Sequence, residues 1–245
     1  KDVVRIVRIW PQTFLPSVVT SVLYFAIFGT VLGSRIGQMQ GVDYMAFVVP
    51  GLVMLAIVTN AYMNTSFTFF SLKFFSRAID EILASPTPPW VMIAGFVAGG
   101  IVRGVLVGAL VLAVSLFFTG LSLSVASAGV ILGFALLTSM IFALAGLVNG
   151  IYATTFDGIN IVPTFVITPL VYFGGVFYSI QTLPPLVQTL SHLNPVFYLI
   201  NGFRYGFLGI SDVPLATAAL VLIALIAILI GINWYLLRTG LGLKQ

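Results

Sequence analysis

The chain has 245 residues, 60% hydrophobic and 7% charged, with a mean hydropathy of +1.17; this excludes an ordinary soluble domain, in which about a quarter of the residues carry charge. The absence of cysteine excludes disulfides, thiolate metal sites and cysteine nucleophiles. The formal charge of +4 comes from cations beside apolar runs, where they orient a chain in a bilayer, so a nucleic-acid partner is not expected.

The opening KDVVRIVRIW places Val3, Ile6, Val7 and Trp10 at i, i+3, i+4 and i+7, with Lys1, Arg5 and Arg8 on the other side. It predicts an interfacial helix over residues 1–12, with a frayed tail as the alternative. Pro11 and Pro16 then suit a bend into the first span. The first residues lack an apolar core of signal-peptide length, so the first span is expected to be retained. The start at Lys1 rather than Met suggests that a native segment precedes it.

With this end taken as cytoplasmic, span one covers residues 14–32, an outer loop holds Arg35 and Asp43, and span two returns over 44–72. Asn60, Asn64 and Thr68 recur at i, i+4 and i+8 of span two, a face suited to a substrate path or to interhelical hydrogen bonds.

In SLKFFSRAIDEILASP, Leu72, Phe75, Ile79, Ile82 and Leu83 recur at helical spacing, while Lys73, Arg77 and Glu81 follow at intervals of four. This predicts an amphipathic cytoplasmic helix over 71–85, ended by Pro86, Pro88 and Pro89, with Lys73 a solvated charge. Such a helix either joins two spans or docks on a partner. In the second case Phe75, Ile79, Ile82 and Leu83 form the packing face, and Arg77, Asp80 and Glu81 set its orientation.

Span three covers 90–118 and carries Arg103 about 20 Å along an ideal helix from Trp90. An intramembrane guanidinium there needs a partner or water, unless it snorkels to the inner headgroups. Gly100, Gly104 and Gly108 form a small-residue face for close helix packing. TGLSLSVASAG turns outside, span four returns over 130–151, Asp157 lies in a short inner loop, and span five leaves near Ile159.

Residues 158–203 carry no formal charge and are long enough for two crossings. Their breakers, from Pro184 and Pro185 through Asn194 and Pro195 to Gly202, instead predict short broken helices over 176–209, forming a hairpin that dips back into the outer leaflet. A last span over 213–237 returns the chain. Lys1, Arg5, Arg8, Lys73, Arg77, Arg238 and Lys244 then fall inside, Arg35 and Arg204 outside, and Arg103 alone at depth. A seventh full span would move Arg238 and Lys244 outside and erase the bias, so six spans are expected.

There is no GxxxxGK[ST] loop to cradle a nucleotide, so this chain is not expected to hydrolyse ATP itself. All six carboxylates fall outside the spans, which disfavours a proton-driven carrier. His192 follows Ser191 without a GxSxG elbow and reads as a polar residue of the outer hairpin. One histidine and no cysteine leave no transition-metal site.

The basic amphipathic start, DEILASP after span two, YFGGVFYSIQTLPP, HLNPVFYLINGFRYGFLG and a sixth span follow one another in this order. Together they resemble an ABC-2 type transporter permease of the YadH and NodJ-like subgroup, over essentially the whole chain as one transmembrane domain, 1–245. The resemblance implies an all-α polytopic fold and a non-enzymatic exporter subunit in the bacterial inner membrane, with both termini cytoplasmic. It implies two permease copies with two separate ATPase subunits, which hold the ATP and Mg²⁺, and this chain binding no cofactor. It also makes the 71–85 segment the coupling helix and 176–209 a re-entrant hairpin, with Asn194, Pro195, Gly202 and Arg204 as candidates for an outer gate. An amphipathic, lipid-like or glycan-type cargo is expected. The alternative is a channel or secondary transporter without an ATPase.

Overall fold

The computed structural model of the chain describes residues 10–75, 79, 81, 85–120 and 125–242. Residues 1–9 of the expected interfacial helix, and Arg77, Asp80, Ile82 and Leu83 of the amphipathic segment, lie outside the described residues. Among the described residues six helices are long and apolar enough to cross a membrane, making this an all-α polytopic membrane protein: α1 (Phe14–Ile36), α2 (Tyr44–Phe74), α3 (Pro89–Thr119), α4 (its apolar part Ser127–Tyr152), α5 (Phe156–Phe173) and a last one, α8 (Leu215–Thr239). Two shorter helices, α6 (Pro185–His192) and α7 (Pro195–Leu208), lie between α5 and α8.

Helix ends follow local chemistry. A two-stranded hairpin, Gln38–Met39 with Val42–Asp43, joins α1 to α2, and its turn residues Gln40 and Gly41 have φ of 51° and 80°. Such a tight turn needs positive φ at both central positions. Asp43 then caps α2, its Oδ2 accepting from the Met45 amide at 3.0 Å. Pro89 occupies the first turn of α3, and Gly120, at φ 63°, closes that helix in the left-handed conformation. Thr155 caps α5 through the Gly158 amide at 3.1 Å.

The central helix is α2, which packs on α3, α4 and α7 and is buried along nearly its whole length, from Phe47, Val48 and Val49 to Phe69. Apolar burial does not drive helices together in lipid, so close backbone approach does that work. A Cβ at Gly100 or Gly104 would press on Ala61 of α2, one at Gly108 on Ile57, and one at Gly146 of α4 on the Tyr62 carbonyl. The expected small-residue face of α3 therefore meets α2. By contrast, α1 presents Leu15, Val19, Leu23, Ile27 and Val31 outward at four-residue spacing, and α8 buries Ala218, Leu222 and Ile226 while exposing Leu220, Ile223 and Ile228.

Candidate functional site

The hydroxyls of α1 recur on one helical face: Ser17, Thr20, Ser21 and Tyr24 stand at i, i+3, i+4 and i+7. They face Thr59 and Asn60 of α2 and Thr168 and Tyr172 of α5 across a cavity of about 310 Å³. Asn60 Nδ2 donates to Ser17 Oγ at 3.1 Å and to the Ala56 carbonyl at 3.0 Å. The cavity is thus a cleft between three spans, walled by hydroxyl and amide groups on an apolar frame that includes Leu52, Leu55 and Val171.

The other two members of the Asn60 ladder have different surroundings. Asn64 is buried and its Oδ1 lies 3.5 Å from Arg103 Nη1, so the cation of α3 faces α2. Thr68 is buried one turn further on. The cleft therefore takes Asn60 from the ladder and seven polar residues that the sequence reading did not single out.

At the far end of α2, the expectation that Lys73 is solvated is corrected. Its Nζ is half-buried and donates to the Ile151 carbonyl at 2.8 Å and the Gly242 carbonyl at 2.7 Å, joining the ends of α2 and α4 to the turn after α8. Gly240 and Gly242, at φ 71° and 78°, fold that turn back over α4. Beside Lys73, the rings of Phe70, Phe74, Phe75 and Phe156 cluster with centroids 4.6–6.3 Å apart, and Phe75 is 65% exposed. In the following segment Ile79 is buried and Glu81 exposed.

The helix pair α6–α7 is tied to the bundle by its polar residues. Asn194 caps α7 through the Val196 amide at 2.9 Å and donates from Nδ2 to the Leu170 carbonyl of α5 at 2.6 Å, with Pro195 in the first turn. Gly202 lets α7 lie against the Phe134 ring of α4, where a Cβ would collide. His192 is exposed, its ring edge-on to Phe197.

Arg204, expected on the outer side, is wholly buried within the protein. Its Nη2 donates to the Gly175 carbonyl at 2.8 Å, its guanidinium sits 3.9 Å from the Phe47 ring centroid, and Nη1 lies 4.0 Å from Asp212 Oδ2. Burial lowers its pKa to about 10, with the Asp212 carboxylate acting in the opposite sense, so the group stays charged at neutral pH. Periodicity could not find this, since Phe47, Gly175 and Asp212 come from three separate elements.

The family model for "ABC-2 type transporter" matches residues 1–208. The inner membrane transport permease YadH of Escherichia coli (strain K12) is 53% identical over 246 residues, covering 100% of this chain and 94% of that protein. Nodulation protein J of Neorhizobium galegae is 24% identical over 88% of this chain and 82% of its own length, and that of Rhizobium meliloti (strain 1021) 26% identical over 82% and 77%. A six-helix membrane fold with these matches makes the chain a member of the ABC-2 type transporter family, a transport permease.

Proposed function

We propose that this permease pairs with a second copy of itself and with separate ATPase subunits to export an amphipathic, lipid-like or glycan-type molecule across the bacterial inner membrane. The observation that carries this reading is the cleft between α1, α2 and α5, which sets eight hydroxyl or amide side chains in walls that are otherwise apolar. A cargo with both a polar head and an apolar body matches such walls, since the polar groups fix orientation and the apolar frame supplies contact. The chain itself performs no bond chemistry; ATP and Mg²⁺ sit on the partner, and segment 71–85, with Ile79 turned inward and Phe75 outward, is the coupling helix that receives its movement. Residues 176–209 form the re-entrant hairpin, and Asn194, Pro195, Gly202 and Arg204 set the outer gate. Both termini are cytoplasmic: with Arg204 buried, Arg35 at the end of α1 is the one outer cation opposing Lys1, Arg5, Arg8, Lys73, Arg77, Arg238 and Lys244.

Purification of the tagged chain from its native membrane tests this. A cytoplasmic ATPase should come with it, and hydrolysis by the complex should respond to a glycolipid or lipid-like cargo, with Asn60→Leu blunting that response and leaving basal hydrolysis intact. Nucleotide-independent transport by the chain alone in proteoliposomes would refute the reading in favour of a channel or secondary carrier.

A further inference from the structure

Asp212 sits in the connection between α7 and α8 and is the hub of contacts from elements far apart in sequence. Its Oδ1 accepts from Gln181 Nε2 at 2.7 Å and from Gln40 Nε2 at 3.2 Å, and Gln40 Nε2 also lies 2.8 Å from Ser179 Oγ. Its amide donates to Asn201 Oδ1 of α7 at 2.8 Å. Gln40 is the one non-glycine residue with positive φ among the described residues, a strained position that aims its amide at this hub. Facing the hub is the buried Arg204.

The contacts of Arg204 are unequal. Those to the Gly175 carbonyl and the Phe47 ring are close and shielded, whereas the contact to Asp212 is at the outer limit of an ion pair. Neither Asp212 Oδ2 nor Arg204 Nε has a hydrogen-bond partner in the structure. Asp212 is carried by a non-helical connection and its two glutamine partners are exposed, so this side separates at the least cost.

We propose that Arg204 and Asp212 form a releasable latch: Arg204 remains seated on Phe47 and Gly175, while Asp212 lets go and frees the α7–α8 connection during turnover. In this latch Arg204 is a positioning residue, and the inference rests on the ATP-driven reading above. When closed, the latch fastens the α1–α2 hairpin, the turn after α5 and the start of α8 into one block. When open, the hairpin and the turn after α5 stay joined through Gln40 and Ser179, while the start of α8 is released from both.

Hydrogen exchange of the purified permease, read on a peptide spanning residues 209–215, tests the latch without needing the ATPase. Asp212→Asn keeps the acceptor for Gln40 and Gln181 and removes the charge opposite Arg204. It should speed exchange in this peptide about tenfold, and Asp212→Glu should restore most of the protection. Arg204→Lys should give an intermediate rate, and the double variant no more than the faster single, as expected for coupled partners. Parent-like protection in Asp212→Asn would overturn the latch. In the complex with its ATPase, hydrolysis should raise exchange of this peptide in the parent and leave Asp212→Asn unchanged; an unresponsive parent would overturn the release step. Failure to find an ATPase would count against the proposed function and leave the resting-state result standing.

Discussion

Lys73→Met removes the ammonium group that holds the turn after α8 against the ends of α2 and α4. It deletes two short bonds, to the carbonyls of Ile151 and Gly242, together with the ammonium contact 5.3 Å from the Phe74 ring centroid, while keeping an apolar side chain of similar length. A hydrogen bond to a charged group contributes about 1.5–3 kcal/mol when buried. Lys73 is half-buried, and water can replace part of each bond, so the pair together is set at about 2 kcal/mol. That corresponds to roughly a thirtyfold rise in the ratio of detached to docked turn. The assay is a spin label on a cysteine introduced at Leu241, a position 48% exposed in a chain with no native thiol. The mobile spectral component should grow thirtyfold relative to the docked one in Lys73→Met and by much less in Lys73→Arg. An identical ratio in Lys73→Met and parent would refute the reasoning and restore Lys73 as a merely solvated charge.

Ile79→Asp places a carboxylate where the side chain is 2% exposed, and an unpaired buried charge costs several kcal/mol. Transport and cargo-dependent hydrolysis should be lost while membrane insertion and basal hydrolysis by the ATPase persist; normal transport with the ATPase bound would make the segment a plain connector. Gly202→Ala should lower the melting temperature in detergent by about 2–6 °C, because overpacking the Phe134 ring costs about 1–3 kcal/mol, more than the helix gains by losing a glycine. An unchanged melting temperature would show that the ring moves aside freely. For orientation, cysteine at exposed Gln38 should react with an impermeant reagent outside intact cells and cysteine at Thr239 only after permeabilisation. Outside labelling at Thr239 would sink the proposed placement of both termini.

The six spans were legible because apolar length and breaker residues are local properties. The expected second span, 44–72, and the helix Tyr44–Phe74 differ by two residues, since Asp43 caps one end and the run of apolar residues sets the other. The glycines of α3 were legible for the same reason: a repeat of four puts them on one face wherever the neighbour lies. The cleft was half legible. Ser17, Thr20, Ser21 and Tyr24 share a face by spacing, yet that face gains meaning only when α5 brings Thr168 and Tyr172 opposite it.

Lys73 was misread as a solvated charge because its chain neighbours end a span, and the buried partners of Arg204 were equally invisible to local pattern. Their actual surroundings come from residues 78 and 169 positions away for Lys73, and 29 for the Gly175 carbonyl at Arg204. The two lie at opposite ends of α2, where Lys73 belongs to its last turn and Phe47 to its first. A helix buried along its length transmits displacement well, because a close-packed core resists compression. With a cation fastening each end to a chain segment outside the core, a push delivered through the proposed coupling segment 71–85 would reach α4 and the turn after α8 by way of Lys73, and would meet α7 and the Asp212 connection by way of Arg204. Movement at one end without response at the other therefore requires breaking one fastening. The stretched Asp212 contact, at 4.0 Å against 2.7 and 2.8 Å for Lys73, is the one that gives first.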